Sequence, residues 1–178
     1  DINGNWWGAA DGPGGEFSGS GDEVTGGAKV TSWLEDGTEY SDFDAGGDKH
    51  SAYGLVIPAA TGEKLTKWGA TAATSVLQTQ ESDTLSLEYT GLDPASRYRY
   101  FITYYNGDES NGVQQLSTGK GMQLHPALAL PKGQVILQEG VIPADQLDQG
   151  YLKLNIQRTS GLRTVLAKAL LIKEAANA

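Results

Sequence analysis

A chain of 178 residues, 39% of them hydrophobic and 24 of them glycine, is long enough for one packed domain and rich in tight turns, which favours an all-β sandwich over long helices. A net charge of −9 argues against nucleic acid and disfavours acidic polysaccharides or anionic lipid, leaving neutral ligands and divalent cations as the better match. The absence of cysteine excludes disulfides, thiolate metal sites and a cysteine nucleophile, and no apolar run approaches the roughly 18 residues of a membrane span.

No signal peptide is visible, and the start at Asp1 reads as a mature or excised fragment. Residues 1–27 are Gly-, Asp-, Ser- and Asn-rich around Trp6, Trp7 and Phe17, and read as extended chain packed by its aromatics onto a single domain spanning 1–178. The tryptophan pair suits either a tied-down terminus or a sugar-stacking surface. Lys29 to Leu34 has the β-branched content of a strand, with Val30 and Trp33 as core candidates.

The most acidic stretch, Glu39 to Asp48, places Asp42, Asp44 and Asp48 close enough in sequence to converge on a hard cation such as Ca²⁺. Their spacing is not that of an EF-hand, and a solvated acidic turn is the other reading. Ala52 to Ala60 reads as a short buried strand ending at Pro58, and a polar linker leads to Trp68, expected on a loop. There its indole face would either stack on a sugar ring or cap the core. Thr74 to Thr79 is a further strand candidate.

Leu85, Leu87 and Tyr89 alternate with Ser86, Glu88 and Thr90, and Tyr98, Tyr100, Ile102 and Tyr104 alternate with Arg97, Arg99, Phe101 and Thr103. A period of two marks each run as a strand with one buried face. Gly91-Leu92-Asp93-Pro94 between them should reverse the chain, so the runs are expected to pair in one sheet. The polar loop after Tyr105 offers Asn106, Asp108 and Asn111 as hydrogen-bonding groups. Strands are expected at Val113 to Ser117 and Gln134 to Glu139, with a loop at His125-Pro126 between them, and again at Tyr151 to Gln157. Arg158 to Gly161 reads as a turn. Leu162 to Lys173 fits both a helical spacing and a last β-strand.

The order Gly91-Leu92-Asp93-Pro94, Tyr98 to Tyr105, Ile142-Pro143-Ala144, Leu152-Lys153-Leu154, Arg158 to Gly161 and Val165 to Ile172 resembles the galactose-binding-like β-sandwich modules appended to bacterial polysaccharide-degrading enzymes. The resemblance covers roughly the second half of the chain. It implies a jelly-roll of two antiparallel sheets, often with a structural Ca²⁺, and sugar bound by edge loops or a sheet face; it also decides for a final β-strand. The first 30 residues have no counterpart in it, and the late acidic residue that often completes the calcium site is replaced by Lys168 and Lys173.

The expectation is therefore a non-catalytic carbohydrate-binding module of a larger secreted bacterial enzyme. Trp68 or Tyr53 would stack on the sugar, and Asn106, Asp108, Asn111 or Arg158 would supply hydrogen bonds. Its partners would be a polysaccharide and a catalytic domain of the same polypeptide. The alternatives are a structural or adhesive domain, and a jelly-roll lyase drawing on Tyr53, His50, Arg97 and Arg99. The only histidines, His50 and His125, lie in no recognisable nucleophile or zinc motif.

Overall fold

The computed structural model describes residues 5, 7, 9–10, 12–15, 17, 19–26, 32–34, 41–47, 51–59, 64–71, 74–79, 83–107 and 111–176. Among these no α-helix occurs, and no helix is long and apolar enough to cross a membrane. The strands are β1 (Gly14–Gly15), β2 (Glu23–Val24), β3 (Ser32–Leu34), β4 (Phe43–Asp44), β5 (Gly54–Val56), β6 (Thr66–Trp68), β7 (Val76–Gln78) and β8 (Thr84–Thr90). They continue with β9 (Arg97–Tyr105), β10 (Gly112–Thr118), β11 (Gln123–Leu130), β12 (Val135–Ile142), β13 (Leu152–Ser160), β14 (Val165–Leu166) and β15 (Lys168–Ala176).

Two antiparallel sheets form the sandwich. One has the order β11-β10-β13-β8-β5; the other runs β12-β9-β15-β3, with β4 also paired to β15. Between them lie Leu85, Leu87 and Tyr89 of β8, Leu152, Leu154 and Ile156 of β13, and, facing these, Tyr98, Tyr100, Ile102 and Tyr104 of β9 with Ala169 and Leu171 of β15. A small sheet, β14-β7-β6, flanks the sandwich, and β1 and β2 form a parallel pair.

The alternation read in β8 and β9 is correct, but their expected pairing is not. Gly91 to Ser96 carries the chain from one sheet to the other, so the runs face each other across the core. A period of two looks the same for strands side by side and strands face to face. Gly91 adopts φ 80°, and the Tyr98 hydroxyl accepts the Asp93 N–H at 2.7 Å, which sets the arch.

Three further expectations change. The segment from Ala52 to Ala60 is not a buried strand: β5 is an edge strand, and Val56 is 61% exposed. The His125-Pro126 loop is instead part of β11. Pro126 is tolerated because β11 is an edge strand with a bulge, where two residues lie between His125 and Leu128 and one between their partners Leu116 and Gln114. Arg158 to Ser160 continue β13, leaving the turn at Gly161 and Leu162. The last segment is strand: its apolar residues do not alternate, because β14 pairs with β7 and β15 then enters the middle of the second sheet, burying side chains on both faces.

Candidate functional site

Trp68 ends β6 rather than sitting on a free loop, opposite Val76 of β7. Gly69, at φ 128°, then starts a tight turn in which a Cβ would come within 2.5 Å of the Ser75 Cα, so only glycine fits. The turn is closed by hydroxyls: Thr71 and Thr74 Oγ1 lie 2.9 Å apart, and Ser75 Oγ donates to the Thr71 carbonyl at 2.7 Å. Trp68 is 48% exposed, and the edge of its six-membered ring rests on Gly107, where a Cβ would lie 2.1 Å from Cζ3. Beside it is an open depression of about 590 Å³ lined by Lys67, Trp68, Gly69, Ala70, Thr74 and Tyr105.

Tyr105 is the last outward residue of β9 and lies opposite Val135 of β12. Side chains directly opposite one another share a sheet face. The outer face therefore continues from Tyr105 and Val135 through Thr103 and Leu137 to Phe101 and Glu139. Val135 and Leu137 are more than half exposed. The sequence reading missed Tyr105 and Lys67, and outward aromatics alternating with the buried tyrosines of β9 were the signal for the former.

Tyr53 lies elsewhere, at the side where the sandwich is open between β5 and β4. Its ring stands edge-on to Tyr98, centroids 5.7 Å apart at 83°. It lines a second open crevice of about 520 Å³ with Asp42, Phe43, Ser51, Leu55, Ile57, Leu65, Lys67 and Leu77. Lys67 borders both hollows.

The other expected ligand-binding residues are engaged within the fold. Asn106 is buried, its Nδ2 donating to the Leu130 carbonyl at 2.7 Å while its own carbonyl accepts the Gly133 N–H at 2.7 Å. Exposed Asn111 accepts the Lys132 N–H at 3.2 Å. Arg158 donates to the carbonyls of Gly161 and Leu162 and pairs with Asp83, clasping the turn after β13. Asp108 lies outside the described residues.

Of the acidic trio, Asp42 is buried and its Oδ2 accepts the Tyr89 hydroxyl at 3.0 Å and the Leu171 N–H at 2.7 Å. Burial, reinforced by this carboxylate, pushes the Tyr89 hydroxyl well above the usual tyrosine range. Asp44 accepts the Gly46 N–H at 2.9 Å and faces the Lys168 ammonium at 3.3 Å. Asp48 lies outside the described residues, among which no group of three or more His, Cys, Asp or Glu is placed to hold a metal. Asp42 and Asp44 are thus each held by protein donors.

Of the tryptophan pair, Trp7 is half-buried with its indole N–H turned inward, and Trp6 lies outside the described residues. His50 is likewise not described. His125 is buried, with Nε2 2.8 Å from the Tyr104 hydroxyl and Nδ1 2.8 Å from the Pro126 carbonyl. A carbonyl only accepts, so Nδ1 carries the proton and Nε2 receives the Tyr104 hydroxyl.

No family model matches the chain, and no curated protein matches it. Solved structures do. The CBM22-1 xylan-binding domain from Paenibacillus barcinonensis is 14% identical with a TM-score of 0.50, over 67% of this chain and 85% of that one. The N-terminal CBM22-1–CBM22-2 tandem domain from the same organism is 14% identical with a TM-score of 0.51, over 70% of this chain and 43% of that one. A family 35 carbohydrate-binding module from an environmental isolate is 16% identical with a TM-score of 0.45, over 72% of this chain and 94% of that one. The protein has the galactose-binding-like β-sandwich fold of such modules.

Proposed function

We propose that the protein is a non-catalytic carbohydrate-binding module of a larger secreted bacterial polysaccharide-degrading enzyme. The observation that carries this reading is the half-exposed Trp68 ring, propped on Gly107 beside Tyr105 and a hydroxyl-bearing turn. An indole face offers apolar area matched to the C–H groups of a pyranose, and a hollow with a few polar groups is the usual form of a ligand site. The apolar outer face from Tyr105 to Phe101, with Glu139 beside it, gives a chain of sugars a surface on which to continue.

The lyase alternative loses support because, among the described residues, Tyr53 is not assembled with Arg97 and Arg99. Tyr53 meets the inward ring of Tyr98, whereas Arg97 and Arg99 project from the opposite face of β9 toward Glu174. A structural Ca²⁺ belongs to the proposal as an expectation about stability, separate from sugar contact.

The test is affinity electrophoresis against a polysaccharide panel, with parallel assay for reducing ends and unsaturated products. Because the similar P. barcinonensis domain is xylan-binding, xylan comes first. Retardation without product is expected, and Trp68→Ala should weaken it by about 5-fold or more, since stacking on an aromatic platform is worth roughly 1–3 kcal/mol. Product formation, or retardation unchanged in Trp68→Ala, would overturn the reading.

A further inference from the structure

The crevice on the open side of the sandwich differs in chemistry from the Trp68 hollow. Phe43, Leu55, Ile57, Leu65 and Leu77 supply apolar walls, the Tyr53 ring is held edge-on by Tyr98, and the volume of about 520 Å³ suits a small ligand. Walls of this kind discard most of a sugar's hydroxyl hydrogen bonds but match the faces of a flat apolar ring.

The charges set its orientation. Among the described lining residues Asp42 is the carboxylate, and it accepts the Tyr89 hydroxyl and the Leu171 N–H, so an anion is disfavoured beside it. Lys67 is exposed, lines the crevice, and takes part in none of the ion pairs of the described residues. In a chain of net charge −9 this is a localised cation beside an apolar hollow. The Ser51 hydroxyl is held by the Tyr53 N–H at 3.1 Å and retains its own proton to donate.

We propose that this crevice is a second binding site, for a flat aromatic monocarboxylate. The ring enters between Tyr53, Leu55, Ile57 and Leu77, and the carboxylate stays at the mouth on the Lys67 ammonium. The site is separate from the Trp68 platform and, among the described residues, shares only Lys67 with it.

The experiment is titration of the purified whole chain with 4-hydroxycinnamate and, separately, with its methyl ester, followed by ligand-observed NMR. Saturable binding of the acid is expected. Lys67→Gln should weaken the acid about two- to fivefold, the range of an exposed ion pair, and leave the ester unchanged. Ile57→Trp should fill the crevice and abolish both, and Leu55→Phe provides a milder filling variant should the first fail to fold. Trp68→Ala should leave acid binding intact, so failure of the glycan reading and failure of this one are told apart. No saturable binding, binding indifferent to crevice filling, or loss in Trp68→Ala would overturn the proposal.

Discussion

Asp42 shows how one residue type in one sequence context divides between two roles. Near Asp44 and Asp48 it reads as a metal ligand, yet in the fold it accepts the N–H of Leu171 in the stretch of β15 between the residues paired to β4 and those paired to β3. It also accepts the hydroxyl of Tyr89 from the opposite sheet. Leaving a buried donor unsatisfied costs about 1–3 kcal/mol. Tyr89→Phe, which removes one donor to the carboxylate, should therefore lower the free energy of unfolding by about 1–2 kcal/mol, and Asp42→Ala, which orphans two donors, by about 2–4 kcal/mol. Urea denaturation checks both, and the double variant should lose less than the sum because the two side chains share one interaction. Asn106 and Arg158 follow the same logic: their polar groups are spent on carbonyls of neighbouring turns, which no reading of isolated residues could foresee.

At the scale of elements, β11 is where sequence signals misled most, since Pro126 and His125 interrupt the pattern of a strand. The bulge that admits Pro126 also aims His125 inward, where it receives the Tyr104 hydroxyl from the opposite sheet. Burial holds the His125 imidazole below its ordinary value of 6.5, partly opposed by the hydrogen bond to the Pro126 carbonyl. The unfolded chain thus takes up a proton near pH 6.5 that the folded chain refuses until lower pH. This contribution to stability is complete above about 6.5 and is lost as pH falls through the folded value. Thermal melts of the native protein and His125→Gln should show the native advantage shrinking from pH 7.5 to pH 5; parallel curves would remove His125 as the source. Five of the six strands from β8 to β13 were legible by contrast: β8, β9, β10, β12 and β13 were all expected, though β12 and β13 run further than predicted.

Across the whole molecule, the two sides of the sandwich are finished differently. On the β11–β12 side, Tyr100 donates to the Leu124 carbonyl at 3.1 Å and Tyr104 meets His125, so side chains stitch the sheets together. Gly140 makes room for this, since a Cβ there would lie 2.7 Å from the Tyr100 ring. On the other side β5 and β4 leave the crevice that Lys67 borders. The proposed structural Ca²⁺ is tested at this scale by Tm with Ca²⁺ and with chelator. A site at a hundredfold excess over its Kd would add about 2.7 kcal/mol, or roughly 5–10 °C for a domain of this size. An unchanged Tm would remove the ion from the proposal.

By itself the sequence determined the all-β class and the buried faces of β8, β9 and β13, because alternation and turn residues are local properties. Only the tertiary structure decided that β8 and β9 oppose rather than pair, and that β15 is a central strand despite its helical spacing. It alone placed Gly107 against Trp68 with Tyr105 lining the same hollow, and gave Asp42, Asn106 and Arg158 partners within the protein. Those outcomes depend on contacts between residues far apart in the chain, such as Asp42 with Leu171, and no local pattern encodes which distant group will satisfy a polar atom once water is excluded.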